Sequence, residues 1–205
     1  SAPAQNLSSS INHNSTGPQT VTAASITLEG GLSGNGNGVQ IRSAIGDQTI
    51  SASNIAISGG SMGNSNFAEI RHSGAAGTQS IDASSIKITG GASGSGNSAN
   101  IGANNNGSQF VTIGEGGISL TGGTGGTNNS AFVTGTTQTI SSTGDVTLRG
   151  GAGIGNSPRL GSPSGVATNL VLSAGGDVLL SSGSAPSTAA VIGNLNSGTA
   201  QPTNI

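Results

Sequence analysis

The chain has 205 residues, of which 38 are glycine, three are phenylalanine and none is cysteine, tryptophan or tyrosine; 6% are charged and the formal net charge is −2. That balance gives no electrostatic case for nucleic acid or an anionic membrane, and the lack of cysteine removes disulfide frameworks and thiolate metal sites. Charge is far below the roughly one quarter usual in a soluble domain, yet Ile, Val and Leu recur too regularly for a disordered segment.

In chain order, residues 1–18 read as an irregular leader whose large apolar residues are Leu7 and Ile11. The chain opens on Ser1 rather than Met, which reads as a processed or trimmed terminus. At Gln19 a phrase begins, QTVTAASITLEGG, and it returns as QTISASNIAISGG from Gln48, QSIDASSIKITGG from Gln79 and, more loosely, QTISSTGDVTLRGG from Gln138. Gln19, Gln48, Gln79, Gln109 and Gln138 are spaced by 29, 31, 30 and 29 residues, and a sixth unit has Leu170 at that place. A fixed period near thirty residues is the mark of a stacked repeat architecture.

Each unit holds three short apolar alternations of period two, the strand signature. The first centres on Val21, Ile50, Ile81, Val111, Ile140 and Leu172. The second pairs Ile26/Leu28, Ile55/Ile57, Ile86/Ile88, Ile118/Leu120, Val146/Leu148 and Val178/Leu180. A Gly-Gly follows in five units, with Ser181-Ser182 read in its place in the sixth. After a Gly/Asn loop the third alternation gives Val39/Ile41, Ala68/Ile70, Ala99/Ile101, Ala131/Val133, Pro158/Leu160 and Ala190/Ile192. Residues 201–205 begin a seventh unit.

These runs predict an all-β parallel β-helix, a β-solenoid of about six coils of about thirty residues with three short strands per coil. Coils about 4.8 Å apart give a rod roughly 30 Å long. The apolar residues of these alternations, about five per coil, should line a narrow shaft, which suits small or branched aliphatics and not large aromatics. Thr, Ser, Asn and Gln are expected outside, stacked like on like. Glycine and asparagine supply left-handed corners. The expected organisation is a leader, cap or joining segment over 1–18, six repeats over 19–200, and a truncated seventh over 201–205.

The phrase Q-[TS]-[IV]-[ST]-A-x-x-I-x-[IL]-x-G-G, followed by a Gly/Asn loop and A-x-I, resembles the repeat region of large filamentous-haemagglutinin-like proteins that bacteria secrete by the two-partner route. The resemblance runs from Gln19 to about Ile192. It implies a right-handed coil, an extracellular or cell-surface location and adhesive or fibre-forming roles, and it carries over no catalytic residue.

Chemistry-bearing motifs are sparse. The loops GGLSGNGNG, GGSMGNSN and GGASGSGN echo a calcium-binding nonapeptide, but Ser, Asn or Gly stands where its aspartates supply oxygen ligands. Corner geometry is the expected role, with no metal and no cofactor. His13 and His72 read as surface residues. The carboxylates Glu29, Asp47, Glu69, Asp82, Glu115, Asp145 and Asp177 fall on different coils, although Glu69 and Asp82 could share a groove. With no carboxylate pair held close and no long loop to wall a cleft, no enzyme activity is expected. Thr20/Thr22, Thr49/Ser51 and Thr139/Ser141 place two hydroxyls on one face, an arrangement that resembles ice-binding solenoids. Ser80/Asp82, Phe110 and Val171 interrupt it.

The leading expectation is therefore an extracellular shaft or filament subunit that joins head to tail with itself, or with neighbouring repeats of a longer chain. Leu7, Ile11, Gln201, Thr203 and Ile205 are the expected joining residues, and a host or matrix surface is a further expected contact. Ice binding is the alternative.

Overall fold

The computed structural model describes residues 6–75, 77–103, 107–162, 169–193 and 203–204. They form a β-solenoid of about six turns, built from parallel strands only. In chain order the strands are β1 (Ser9–His13), β2 (Gln19–Glu29), β3 (Val39–Ser43), β4 (Gln48–Ser58), β5 (Ala68–His72), β6 (Thr78–Thr89), β7 (Ala99–Ala103) and β8 (Ser108–Thr121). Then come β9 (Ala131–Thr134), β10 (Thr137–Ser142), β11 (Val146–Arg149), β12 (Pro158–Gly161), β13 (Asn169–Ala174), β14 (Val178–Ser181), β15 (Val191–Gly193) and β16 (Thr203–Asn204). One sheet stacks β1-β3-β5-β7-β9-β12-β15; the other stacks β16-β13-β10-β8-β6-β4-β2, with β11 joining β8 and β14.

The first two apolar runs of a coil are one continuous strand in the first four coils and two strands in the fifth and sixth. The corner between them varies in length along the chain. In β4 the alternation runs buried at Ile50 and Ala52, then slips by one position, with Ser53 and Asn54 both exposed before Ile55 and Ile57 turn in again. Two successive outward residues bend an extended chain around the shaft without breaking its ladder. The corner lengthens to four residues, 114–117, between Ile113 and Ile118, and to three between Ser142 and Val146 and between Ala174 and Val178. The four-residue corner leaves β8 continuous, whereas the three-residue corners separate β10 from β11 and β13 from β14.

The leader is not irregular throughout. Residues Ser9–His13 form β1 and pair in register with Val39–Ser43, so Ile11 stands over Ile41. Asn6 has φ 56° and falls in the same corner column as Gly36, Ser65, Gly96, Asn128, Gly155 and Ser187, all with positive φ. The coil needs a left-handed residue there, and Gly, Asn or Ser meets that need.

The shaft is filled by the aliphatic columns. Ile50, Ile81, Val111, Ile140 and Leu172 are buried, as are Ile26, Ile55, Ile86, Ile118 and Val146 in the second column and Ile41, Ile70, Ile101, Val133 and Leu160 in the third. Val21 and Ile192 are partly buried and pack against that core. Val178 lies in register over Val146, yet it is 37% exposed, because among the described residues no coil stands beyond it.

Two kinds of polar residue also face inward, against the expectation that Gln and Asn decorate the outside. Gln19, Gln48, Gln79, Gln109 and Gln138 are all buried. Each later glutamine donates Nε2–H to the Oε1 of the one before it, at 2.6–2.7 Å, in four consecutive bonds. Asparagines close the opposite corner. The backbone N–H groups of Asn37, Asn66, Asn97 and Asn129 donate to the Oδ1 atoms of Asn66, Asn97, Asn129 and Asn156. Their Nδ2 groups reach loop carbonyls, as Asn97 does to Gly63 and Ser93. A buried amide is costly without partners; stacking identical amides at strand spacing supplies them from the next coil.

His72 is also a correction. It is fully buried, with Nε2 3.0 Å from the Gly46 carbonyl oxygen. Its place on β5 puts it one register step from Ser43 and Ala103, on the inner face of the corner.

Candidate functional site

The outward positions of the two sheets differ in kind. On the longer sheet, register aligns Thr20, Thr49, Ser80, Phe110, Thr139 and Val171 in one column, and Thr22, Ser51, Asp82, Thr112, Ser141 and Ser173 in the next. This is a hydroxyl surface interrupted by Asp82 and by the half-exposed Phe110 and Val171.

The other sheet carries chemistry. Its central outward column runs Ser10, Gln40, Glu69, Asn100, Phe132, Arg159 and Val191. The column beside it holds Arg42, Arg71, Gly102, Thr134 and Gly161. Three of the five Lys and Arg residues therefore lie on this face, as do Phe67 and Phe132, two of the three phenylalanines. The short side chains of β7 and its approach, Ser98, Asn100 and Gly102, leave a hollow between larger neighbours. Phe67 and Glu69 wall one side, Phe132 and Arg159 the other, and Thr134 completes the lining around about 310 Å³. Glu69 and Arg159 are three strand steps apart, roughly 14 Å between backbones.

Each wall is fixed from below. The Phe67 ring lies across Gly38 of the preceding coil, where any Cβ would overlap it. Thr134 Oγ1 donates to Asn100 Oδ1 at 3.3 Å, and Asn100 in turn hydrogen-bonds the Glu69 carboxylate. Arg71 Nη1 lies 3.9 Å from Glu69 Oε1. Burial pushes the Glu69 carboxyl above its ordinary range, against the opposing pull of Arg71, Arg42 and the Asn100 hydrogen bond. Arg159, only 8% exposed, sits with its guanidinium carbon 5.3 Å from the centre of the Phe132 ring and donates Nη1–H to the Ser162 carbonyl at 3.3 Å. Its Nε has no hydrogen-bond partner among the described residues. Burial pulls its proton affinity down.

This site carries no signal in the pattern of the sequence. The third alternation names Ala68/Ile70, Ala99/Ile101, Ala131/Val133 and Pro158/Leu160, and the site is made of the residues between them. No periodicity marks those positions, because their value lies in differing from coil to coil. Glu69 and Asp82, considered as partners in one groove, lie on different sheets. The remaining carboxylates include turn fasteners: Asp47 Oδ1 accepts from the Thr78 N–H at 2.8 Å, and Asp145 Oδ1 from the Asp177 N–H at 2.9 Å. His13 is half-buried, with Nε2 2.9 Å from Ser15 Oγ. Among the described residues no three His, Asp or Glu side chains gather as a metal site.

The residues expected to join subunits are placed as follows. Leu7 is exposed and donates its N–H to Asn37 Oδ1 at 2.9 Å. Ile11 is 54% exposed on β1, and Thr203 aligns with Leu170 across β13 and β16. Gln201 and Ile205 lie outside the described residues.

Comparison of the chain with protein-family models, curated proteins and solved structures finds no match.

Proposed function

We propose that this β-solenoid is a non-enzymatic, extracellular structural protein with an adhesive face, serving as a shaft segment or as a filament subunit that joins head to tail. The supporting observation is the contrast within single core columns. Ile41, Ile70 and Ile101 are buried between coils, whereas Ile11 over Ile41 is 54% exposed; at the other end Val178 and Leu180 are 37% and 49% exposed. Among the described residues these inward-facing aliphatics have a coil on one side only, flanked by strand edges, and such edges favour pairing with a like edge. Such a contact is heterologous and does not close on itself, so it generates a fibre. The location outside the cell follows the resemblance of the repeat. The broken hydroxyl columns of the longer sheet give the ice-binding alternative no comparable support.

Electron microscopy and sedimentation of the purified chain across micromolar to millimolar concentration test the joining. End-to-end rods that disappear in Ile11→Lys and Leu180→Lys variants are the expected result. A monomer at every concentration overturns it.

A further inference from the structure

We propose that the hollow on the seven-stranded sheet is a binding site for a small organic acid, a carboxylate carried on a six-membered ring. The site does not depend on end-to-end joining, and a strictly monomeric chain can be tested for it.

The sign of the ligand comes first. Arg42, Arg71 and Arg159 share this face with Glu69 as the carboxylate beside them, on a chain whose formal net charge is −2. An anion is drawn to the one surface where cations gather. The anchoring group is Arg159. A guanidinium held over Phe132 lines the hollow and brings its positive charge to that wall, with Nη1–H given to the Ser162 carbonyl and Nε closed off from solvent. A carboxylate is the natural complement, because the guanidinium fork matches its two oxygens in one plane.

Size and shape set the rest of the ligand. A hollow of about 310 Å³ is at the lower end of small-molecule sites. The Phe67 ring, pinned over Gly38, gives a rigid apolar wall for the face of a ring. Ser98 and Asn100 on the floor provide polar groups within the same hollow. Two sources share this chemistry, aromatic acids and acidic sugars, and the walls accept the flat face of either.

Isothermal titration of the full chain with benzoate and with glucuronate tests the assignment, with benzamide and glucose as neutral counterparts. At least one acid should bind saturably at millimolar concentration or tighter, and its neutral counterpart at least tenfold more weakly. Benzoate alone would mark an aromatic-acid site and glucuronate alone an acidic-sugar site; binding of both supports the shared carboxylate. Arg159→Gln should weaken binding at least tenfold. Asn100→Asp, on the floor of the groove, should do the same by placing a negative charge there, and it guards against misfolding of the first variant; circular dichroism checks both. No saturation by either acid up to 10 mM, equal binding of neutral and acid, or unchanged binding in folded variants overturns the proposal.

Discussion

The middle coils and the sixth coil share a register but not their fastenings. In coils one to five the first glycine of each Gly-Gly lies under a carbonyl of the coil above. A Cβ on Gly30, Gly59, Gly90, Gly122 or Gly150 would overlap the carbonyl oxygen of Asn66, Asn97, Asn129, Asn156 or Thr188. The second glycine is crowded from below: a Cβ on Gly60 or Gly91 would strike the carbonyl of Gly31 or Gly60. In the sixth coil, register with Arg149↔Ser181 aligns Ser182 with Gly150 and Gly183 with Gly151. The sixth pair is therefore Ser182-Gly183, not Ser181-Ser182. The glycine demanded from below is kept, and the one demanded from above is replaced. The ladders end in the same way. Leu170 stands where glutamine stood, and Thr188 replaces the asparagine, bonding within its own loop to the Ala185 carbonyl at 2.6 Å. Asn156 N–H has no asparagine above it and turns to Gly153 O at 3.2 Å. Each conserved-looking feature of the repeat is thus a response to a particular neighbour.

The largest difference is expected from one charge placed in one column at two heights. Ile86→Asp puts an unpaired carboxylate in the closed shaft and should cost more than about 4 kcal/mol, enough to unfold the chain. Val178→Asp, in the same column at the open end, should cost about 1 kcal/mol or less. Chemical denaturation of the two variants measures the gap, and equal losses would erase it. Next comes the corner. Gly59→Ala should lose about 3 kcal/mol through overlap with the Asn97 carbonyl, while Ser182→Ala, which already carries a Cβ, should be neutral in a thermal melt.

The ladders give an intermediate effect. Asn97→Ala leaves the buried Asn66 N–H without its acceptor and should cost about 2 kcal/mol, against about 1 kcal/mol for Thr188→Ala. Gln79→Leu interrupts the glutamine series in the middle and should cost about 2 kcal/mol by denaturant titration, although Leu170 occupies the same column without difficulty. The smallest effect concerns the outer face. Glu69 has a raised carboxyl pKa in the fold, so the protonated form is favoured there. Its stabilising contribution is complete below the ordinary value of 4.5 and is lost as pH rises through the folded value. Glu69→Gln should therefore flatten the melting profile across that window and raise the melting temperature slightly at neutral pH. A steeper profile in the variant would reverse the assignment.

The coil itself was legible because apolar alternation and a thirty-residue period are written directly in the side chains that fill the shaft. The glutamines mark the period in the sequence, yet they face inward where their polarity points outward. Hydropathy counts Gln as polar and cannot register that the partner satisfying Gln79 is Gln48, one full coil away. His72 failed in the same way, since its partner Gly46 belongs to the preceding turn. The candidate site was hidden for the opposite reason. Glu69, Asn100, Phe132 and Arg159 share nothing as residues, and only the column brings them together.

Ser182 has a mechanical consequence. Between internal coils, the glycine at that corner admits the carbonyl of the coil above; a side chain there holds any incoming coil away. If copies join end to end, the two sheets can continue across the seam while the asparagine corner cannot close. The resulting fibre would carry one notch per copy, always on the same edge, and under tension or sonication it would fracture at those notches into lengths that are whole multiples of one chain.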